Sequence, residues 1–205
     1  MPDALDVRRR LDLESDAFVI LSPRLFWPIQ NIETIVGAMP AVLAAEPRAR
    51  LVLVKYRASQ FPAYEARIEH RIDQLGIRSA IRSIPEIANS EMPAYYSAAD
   101  CTVSVPGTDG TPMTVMESLA VETPVIVSDL PDYDSEIFAD GQTVLRVKVD
   151  DASSLAAAIT RLAQDAELGR VLGRNGRQLA LVRADYWAEM TRLEQAYTRL
   201  LKASS

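Results

Sequence analysis

Short apolar runs alternate along the chain with longer stretches that are apolar at helical spacing, the pattern of repeated strand-helix units around a parallel sheet. Residues 17–21, 50–54, 80–83, 101–105, 125–127 and 144–147 read as strands. Helices are expected over 32–45, 64–75, 91–98, 112–121, 153–162, 166–182 and 186–201. The pattern predicts an α/β fold, a Rossmann-like parallel sheet with helices on both faces. The final helical stretch has no strand partner, so it is expected to pack outside the sheet or to run back towards a neighbour absent from this chain. Residues 12–16 are the one hint of an arm ahead of the domain, and Met1 reads as an added start. No internal repeat, low-complexity tract or Gly/Ser-rich linker interrupts the sequence, so residues 1–205 are read as one domain.

In open parallel sheets ligands bind beyond the carboxyl ends of the strands. Arg24 follows the first expected strand, Lys55 and Arg57 the second, residues 84–87 the third and residues 109–114 the fourth, so these groups are expected to share one rim. The stretch Asp109-Gly110-Thr111-Pro112-Met113-Thr114-Val115-Met116-Glu117 carries the most information. Thr111 is the expected N-cap and Pro112 the expected first helical residue. Free N–H groups and the positive pole of a helix start form a site for phosphate or diphosphate. Asp109 then lies just outside the mouth, and Glu117 about 7 to 8 Å along the axis from Pro112 at ~1.5 Å per residue. That spacing suits a long polar ligand; a nucleotide-sugar laid across the mouth, for example, could offer sugar hydroxyls to Asp109, its diphosphate to the helix start and ribose hydroxyls to Glu117.

Composition narrows the alternatives. The 205 residues are 48% hydrophobic and 24% charged with mean hydropathy near zero, an ordinary globular composition with length enough for a large core. A net charge of -6 argues against a nucleic-acid partner, so phosphate recognition must be local. The single cysteine, Cys101, opens an apolar run and is expected in the core, and it fits a reducing, cytoplasmic setting. No run of eighteen apolar residues occurs, and the first ten residues are too charged for a signal-peptide core. His70 lies between Glu69 and Arg71 and reads as a solvated residue. The carboxylates are scattered and His and Cys do not cluster, so no metal site is expected.

Several segments resemble the C-terminal half of family 4, or group 1, glycosyltransferases of the GT-B fold. Asp109 and Glu117 match the family's Glu-x7-Glu, with Asp in first place. Tyr95-Tyr96-Ser97-Ala98-Ala99-Asp100 resembles Tyr-x-x-Ala-Asp, and residues 116–129 resemble Leu-Glu-Ala-Met-Ala-x-Gly-x-Pro-Val-Val-Ala-Ser. Ser135-Glu136-Ile137 and Asp140-Gly141 resemble the Pro-Glu-Ile and Asp-Gly elements, and nearly the whole chain aligns in order. The resemblance implies the donor-binding domain of a retaining glycosyltransferase that moves a hexosyl-type group from a nucleotide diphosphate sugar, without a metal or other cofactor. It further implies a missing N-terminal domain that carries the acceptor, so this chain alone is expected to be inactive. The nucleotide-sugar and that missing domain are then its partners. No nucleic acid and no direct membrane contact are expected of this half, although the full-length enzyme could be peripheral to a membrane.

The resemblance also assigns roles. Arg24 in Ser22-Pro23-Arg24-Leu25 matches the arginine that contacts the donor diphosphate, work suited to a permanently charged fork of N–H groups. Gln30 stands where the family supplies a lysine, and Lys55, in a segment that replaces a Gly-rich turn, is the candidate to restore that charge. Residues 84–87, ending at Ile87, are the implied base-binding loop. Gly110, Thr111, Pro112, Met113 and Thr114 form the donor-binding helix start, with Thr111, Met113 and Thr114 acting through backbone N–H groups. Arg24 and Asp109 are the catalytic candidates, and Glu117 the ribose acceptor. Glu122 and Val144 stand at family glycine positions, where turns without positive φ are expected, or strain carried elsewhere. The departures at Gln30 and at the Gly-rich turn keep open a non-catalytic nucleotide-binding or regulatory module. A sugar-nucleotide 2-epimerase shares the two-domain fold, but the Asp-x7-Glu region favours transfer.

Overall fold

The computed structural model describes residues 3–203, and Met1 lies outside them. The chain runs α1 (Ala4–Arg10), β1 (Phe18–Ser22), α2 (Ile32–Ala45), β2 (Ala49–Val54), α3 (Pro62–Gln74), β3 (Ile81–Ile84), α4 (Met92–Ala98) and β4 (Cys101–Ser104). It continues through α5 (Met113–Ala120), β5 (Val125–Ser128), β6 (Leu145–Val147), α6 (Ala152–Gln164), α7 (Ala166–Arg183) and α8 (Tyr186–Ala203). The six strands form one parallel sheet in the order β3-β2-β1-β4-β5-β6. Each expected strand and helix is present, with ends that differ by a few residues.

The central strands β1, β4 and β5 are mostly apolar and almost wholly buried because both faces are covered, as parallel sheets require, while the edge strands β3 and β6 carry Arg82, Ser83 and Arg146. On one face Ile20, Leu51, Leu53, Val103 and Ile126 pack with Ile35 and Met39 of α2, Ile68 of α3 and Ile159 of α6. On the other, Val19, Leu21 and Val52 meet Val7 of α1 and Tyr96 of α4, while Val125 and Val127 meet Leu119 of α5 and Ala180 of α7. Cys101 lies opposite Ile20 in the β1-β4 ladder, fully buried in this core as expected.

Two details correct the sequence expectations. Residues 4–10 form helix α1, opened by a reciprocal capping box between Asp3 and Asp6. Arg8 anchors it by donating from Nε to the Ala98 carbonyl (2.9 Å), from Nη1 to the Ala17 carbonyl (3.0 Å) and from Nη2 to Asp100 (2.8 Å). The segment after it is likewise tied down, since Arg82 donates to the Leu11 and Asp12 carbonyls and Glu14 pairs with Arg50. The expected arm is therefore part of the body. The second correction concerns Glu122, whose φ is 64°. Thr123 N–H donates to the Ser118 carbonyl (3.1 Å) and Glu122 N–H to the Leu119 carbonyl (3.0 Å), the paired bonds of a Schellman ending to α5. Such an ending needs a left-handed residue where Glu122 stands. The turn is held from outside as well: a Cβ on Gly173 of α7 would lie 2.2 Å from the Glu122 carbonyl oxygen, so α7 packs directly on this backbone.

Glu122→Gly is expected to stabilise the fold by up to about 1 kcal/mol. Relief of ~1–2 kcal/mol of left-handed strain outweighs the roughly 0.5–1 kcal/mol of extra glycine entropy, and the 3.5 Å pair with Arg177 is exposed and contributes little. Urea unfolding checks this, and a lower midpoint would contradict it.

Candidate functional site

The strand order reverses at β1, which has β2 on one side and β4 on the other. Loops leaving β1 and β4 therefore turn apart and open a crevice beyond their carboxyl ends. Hydrogen bonds to and between backbone groups tie the rim together. Gly107 N–H, after β4, donates to the Ile29 carbonyl, after β1 (3.0 Å), and Ser128 Oγ of β5 donates to the Pro106 carbonyl (2.7 Å). Phe26 N–H donates to the Tyr56 carbonyl (2.7 Å), and Lys55 N–H to the Ile84 carbonyl (2.9 Å).

Arg24 and the residues after β4 meet across this crevice. Arg24 donates from Nε to Gln30 Oε1 (2.7 Å), from Nη1 to Thr114 Oγ1 (2.9 Å) and from Nη2 to Asp109 Oδ2 (2.5 Å). These bonds use three of its five N–H groups. The Arg24 and Asp109 side chains are 11% and 19% exposed, so water screens their charges weakly. Asp109 also accepts from Gly110 N–H through Oδ1 (2.9 Å), which folds the loop back on itself.

The helix start differs from expectation by one residue. Pro112, at φ -72° and ψ 122°, is the N-cap and Met113 the first helical residue, because the extended ψ of Pro112 keeps it outside the helix. Thr111 is exposed and precedes the cap. The Pro112 carbonyl accepts from Val115 N–H (3.0 Å) and Met116 N–H (3.3 Å), so the Met113 and Thr114 N–H groups precede the first helical bond. Proline supplies no side-chain cap, which leaves this end open to an anion. One turn along α5, Glu117 accepts at Oε2 from the Tyr96 hydroxyl (2.9 Å). Burial, with the adjacent Glu117 charge, pushes the Tyr96 phenol up, so it remains a neutral donor. The sequence offered Tyr96 only as a motif residue, since its contact with Glu117 arises where α4 meets α5.

Other expected residues lie elsewhere. Lys55 Nζ sits 2.8 Å from Glu65 and 2.7 Å from Glu69 of α3. Burial alone would lower its pKa, but the two carboxylates outweigh that and raise it. Lys55 is thus engaged with α3 and is not among the groups that surround Arg24. Ile87 turns its side chain into the core with Met92 and Tyr96 rather than offering a stacking surface, and its carbonyl accepts from the Tyr56 hydroxyl (2.9 Å). Tyr133, after β5, was not read from the sequence at all. Its ring stacks on Phe138 at 4.0 Å and its buried hydroxyl has no hydrogen-bond partner. Burial pushes that phenol up and the Asp109 charge adds to the shift, which puts the hydroxyl in electrostatic reach of the site. A buried, unpaired hydroxyl at such a place marks a candidate ligand contact.

A cavity of about 230 Å³ opens beside Arg24, lined also by Tyr56, Asn89, Met92 and Thr114. It falls below the ~300 Å³ at which small-molecule pockets begin. A larger hollow of about 560 Å³ lies between α2 and α6, lined by Ala41, Ala156 and Thr160, away from the carboxyl rim. Among the described residues no group of three or more His, Cys, Asp or Glu is placed to hold a metal ion, and no helix is long and apolar enough to cross a membrane. The rim instead combines a guanidinium, a carboxylate and open helix N–H groups, a set that can grip an anion and a polyol together.

Comparison with known proteins agrees with this geometry. The family model for glycosyl transferases group 1 matches residues 4–179. A D-inositol 3-phosphate glycosyltransferase of Streptosporangium roseum is 29% identical over 159 residues, covering 75% of this chain and 36% of its own length. The chain thus spans well under half of that relative. Among solved structures, Anabaena HepE in complex with UDP-glucose has a TM-score of 0.87 at 16% identity, covering 96% of this chain and 52% of that one. The C-terminal domain of the group 1 protein LpcC from Francisella tularensis has a TM-score of 0.79 at 19% identity, covering 91% of this chain and 95% of that one. The architecture is the one seen in GT-B glycosyltransferases. Matched along most of its length and folded in the same way, this chain belongs to the glycosyl transferases group 1 family.

Proposed function

We propose that the chain is the C-terminal, donor-binding half of a retaining family 4 glycosyltransferase, which moves a hexosyl group from a nucleotide diphosphate sugar to an acceptor held by an N-terminal half. The observation that carries this is the joining of Arg24, Asp109 and Thr114 beside the open start of α5, at the strand-order reversal. The two remaining Arg24 N–H groups and the Met113 and Thr114 amides would take the diphosphate. As the bond from the sugar's anomeric carbon to phosphate oxygen breaks, its electron pair goes to the leaving nucleoside diphosphate, and these donors stabilise the growing charge without a metal. Asp109 would accept the sugar hydroxyls. Glu117, steadied by Tyr96, would accept the ribose hydroxyls.

The exposed apolar residues of α8, among them Trp187 and Tyr197, would find their cover on the N-terminal half. The buried, reduced Cys101 fits a cytoplasmic enzyme. A non-catalytic nucleotide-binding module is the second reading, favoured by the engagement of three of the five Arg24 N–H groups with this chain's own side chains. Because the Anabaena structure holds UDP-glucose, UDP and UDP-glucose are the first ligands to test by calorimetry, followed by the GDP and ADP series. The isolated chain is expected to bind a nucleotide-sugar and to transfer no sugar; turnover by the purified 205 residues would overturn the two-half reading.

Arg24→Ala is expected to weaken nucleoside diphosphate binding by about 1.5 to 3 kcal/mol, the scale of a hydrogen bond to a charged group, and to leave bare nucleoside binding unchanged. Equal losses for both ligands would point to damage to the fold.

The two acids separate by ligand. Glu117→Gln is expected to weaken nucleotide and nucleotide-sugar alike. Asp109→Asn keeps an oxygen acceptor for Arg24 and removes a negative charge facing the diphosphate, so nucleotide affinity holds or tightens and only the sugar's added affinity falls. The reverse pattern in the same titrations would mean that the donor lies the other way round.

A further inference from the structure

Gln30 closes the 3-10 turn Pro28–Gln30 and is 7% exposed. The turn is fixed from several directions. Gln30 N–H donates to the Trp27 carbonyl (2.9 Å), Gly107 N–H donates to the Ile29 carbonyl (3.0 Å), and Asn31, at φ 53°, swings the chain directly into α2. The Gln30 side chain therefore leaves a rigid piece of backbone, and its Oε1 accepts from Arg24 Nε at 2.7 Å. This bond decides how the guanidinium is turned. With Nε held from behind, the Nη1 and Nη2 edge faces Thr114 and Asp109 at the start of α5.

A lysine in this place is a donor only and cannot accept from Nε. Its ammonium would meet the guanidinium as a like charge in a poorly screened setting. Nor does Lys55 stand in for such a cation, since Glu65 and Glu69 hold it. We infer that Gln30 is a positioning residue for Arg24, which rests on the donor-binding function proposed above: its amide oxygen orients the guanidinium towards the donor diphosphate, and it is not the remnant of a lost second cation.

The inference sets an expectation opposite to simple charge counting. Gln30→Lys, which adds a positive charge at the mouth, should bind UDP no tighter than the unaltered chain. Gln30→Met, of similar length and without the acceptor, should bind UDP about tenfold more weakly, the effect of losing one hydrogen bond to a charged group, while uridine binding is unchanged in both. In an Arg24→Ala background, Gln30→Met should have no further effect on UDP. Tighter UDP binding by Gln30→Lys, an undiminished affinity in Gln30→Met, or additive losses in the double variant would each overturn the inference. A ligand-free measurement guards against variants that fail to fold: the Arg24 Nε–H resonance of the unaltered chain, assigned with Arg24→Lys, should exchange with water more slowly than those of exposed arginines. Rapid exchange would overturn the positioning role. Slow exchange in a chain that binds no nucleotide would uphold it and sink the donor-binding function instead.

Discussion

The reversal of strand order at β1 is the constraint on which the molecule depends. With β2 and β4 on its two sides, β1 is the strand from which the chain departs in one direction and to which it must return from the other. The amino edge of that return is sealed: Asp100 accepts from Val19 N–H (2.7 Å) and from Arg8, while its own N–H donates to the Val19 carbonyl (2.8 Å). The carboxyl edge is not sealed in this way. Ser22, Ser104 and Tyr133, at or beyond strand ends, keep buried oxygens without partners, and Asn31 keeps a buried amide nitrogen. Buried polar groups are nearly always paired, so unmet bonding capacity collects at the end of the sheet where the crevice lies.

Electrostatics at the mouth are local and balanced. The chain is acidic as a whole, yet Arg24 is held among one carboxylate and two neutral oxygens, so the side chains that meet there carry no net charge. Under the function proposed above, an incoming diphosphate would be met mainly by oriented N–H dipoles, which need little reorganisation. The cost is that Asp109 would stand beside the anion, relieved only by hydroxyl donors from a sugar. On that reading, a donor with its sugar in place would suit this mouth better than a nucleotide alone.

The sheet and its helices were legible because apolar runs and helical spacing are properties of neighbouring residues. So was the meeting of Arg24 with residues 109–114, since strand ends in a parallel sheet converge by topology. Four features were not legible, each for a physical reason. The tying down of residues 4–16 depends on contacts far along the chain, such as those of Arg8 with a carbonyl and a carboxylate some ninety residues away. Glu122 is a poor residue for a left-handed turn, and packing of α7 against its backbone overrides that preference. Lys55 lies where it could face the ligand, but two acids one helical turn apart on α3 attract it more strongly than an open rim. Tyr133 went unseen because an unpaired hydroxyl leaves no trace in a linear pattern.

Cys101 has a consequence of another kind. It opens β4 at the middle of the sheet, fully buried, with a thiol that burial holds in the unreactive protonated form. Motions confined to the rim loops would not uncover it. Only separation of β4 from β1 or loss of the layer above does so, a sub-global event near the top of the ladder of local openings. As the sole cysteine of the chain, it acts as a clock on that event: the rate at which an alkylating reagent finds it reports the survival time of the sheet's centre, unmixed with the breathing of the site.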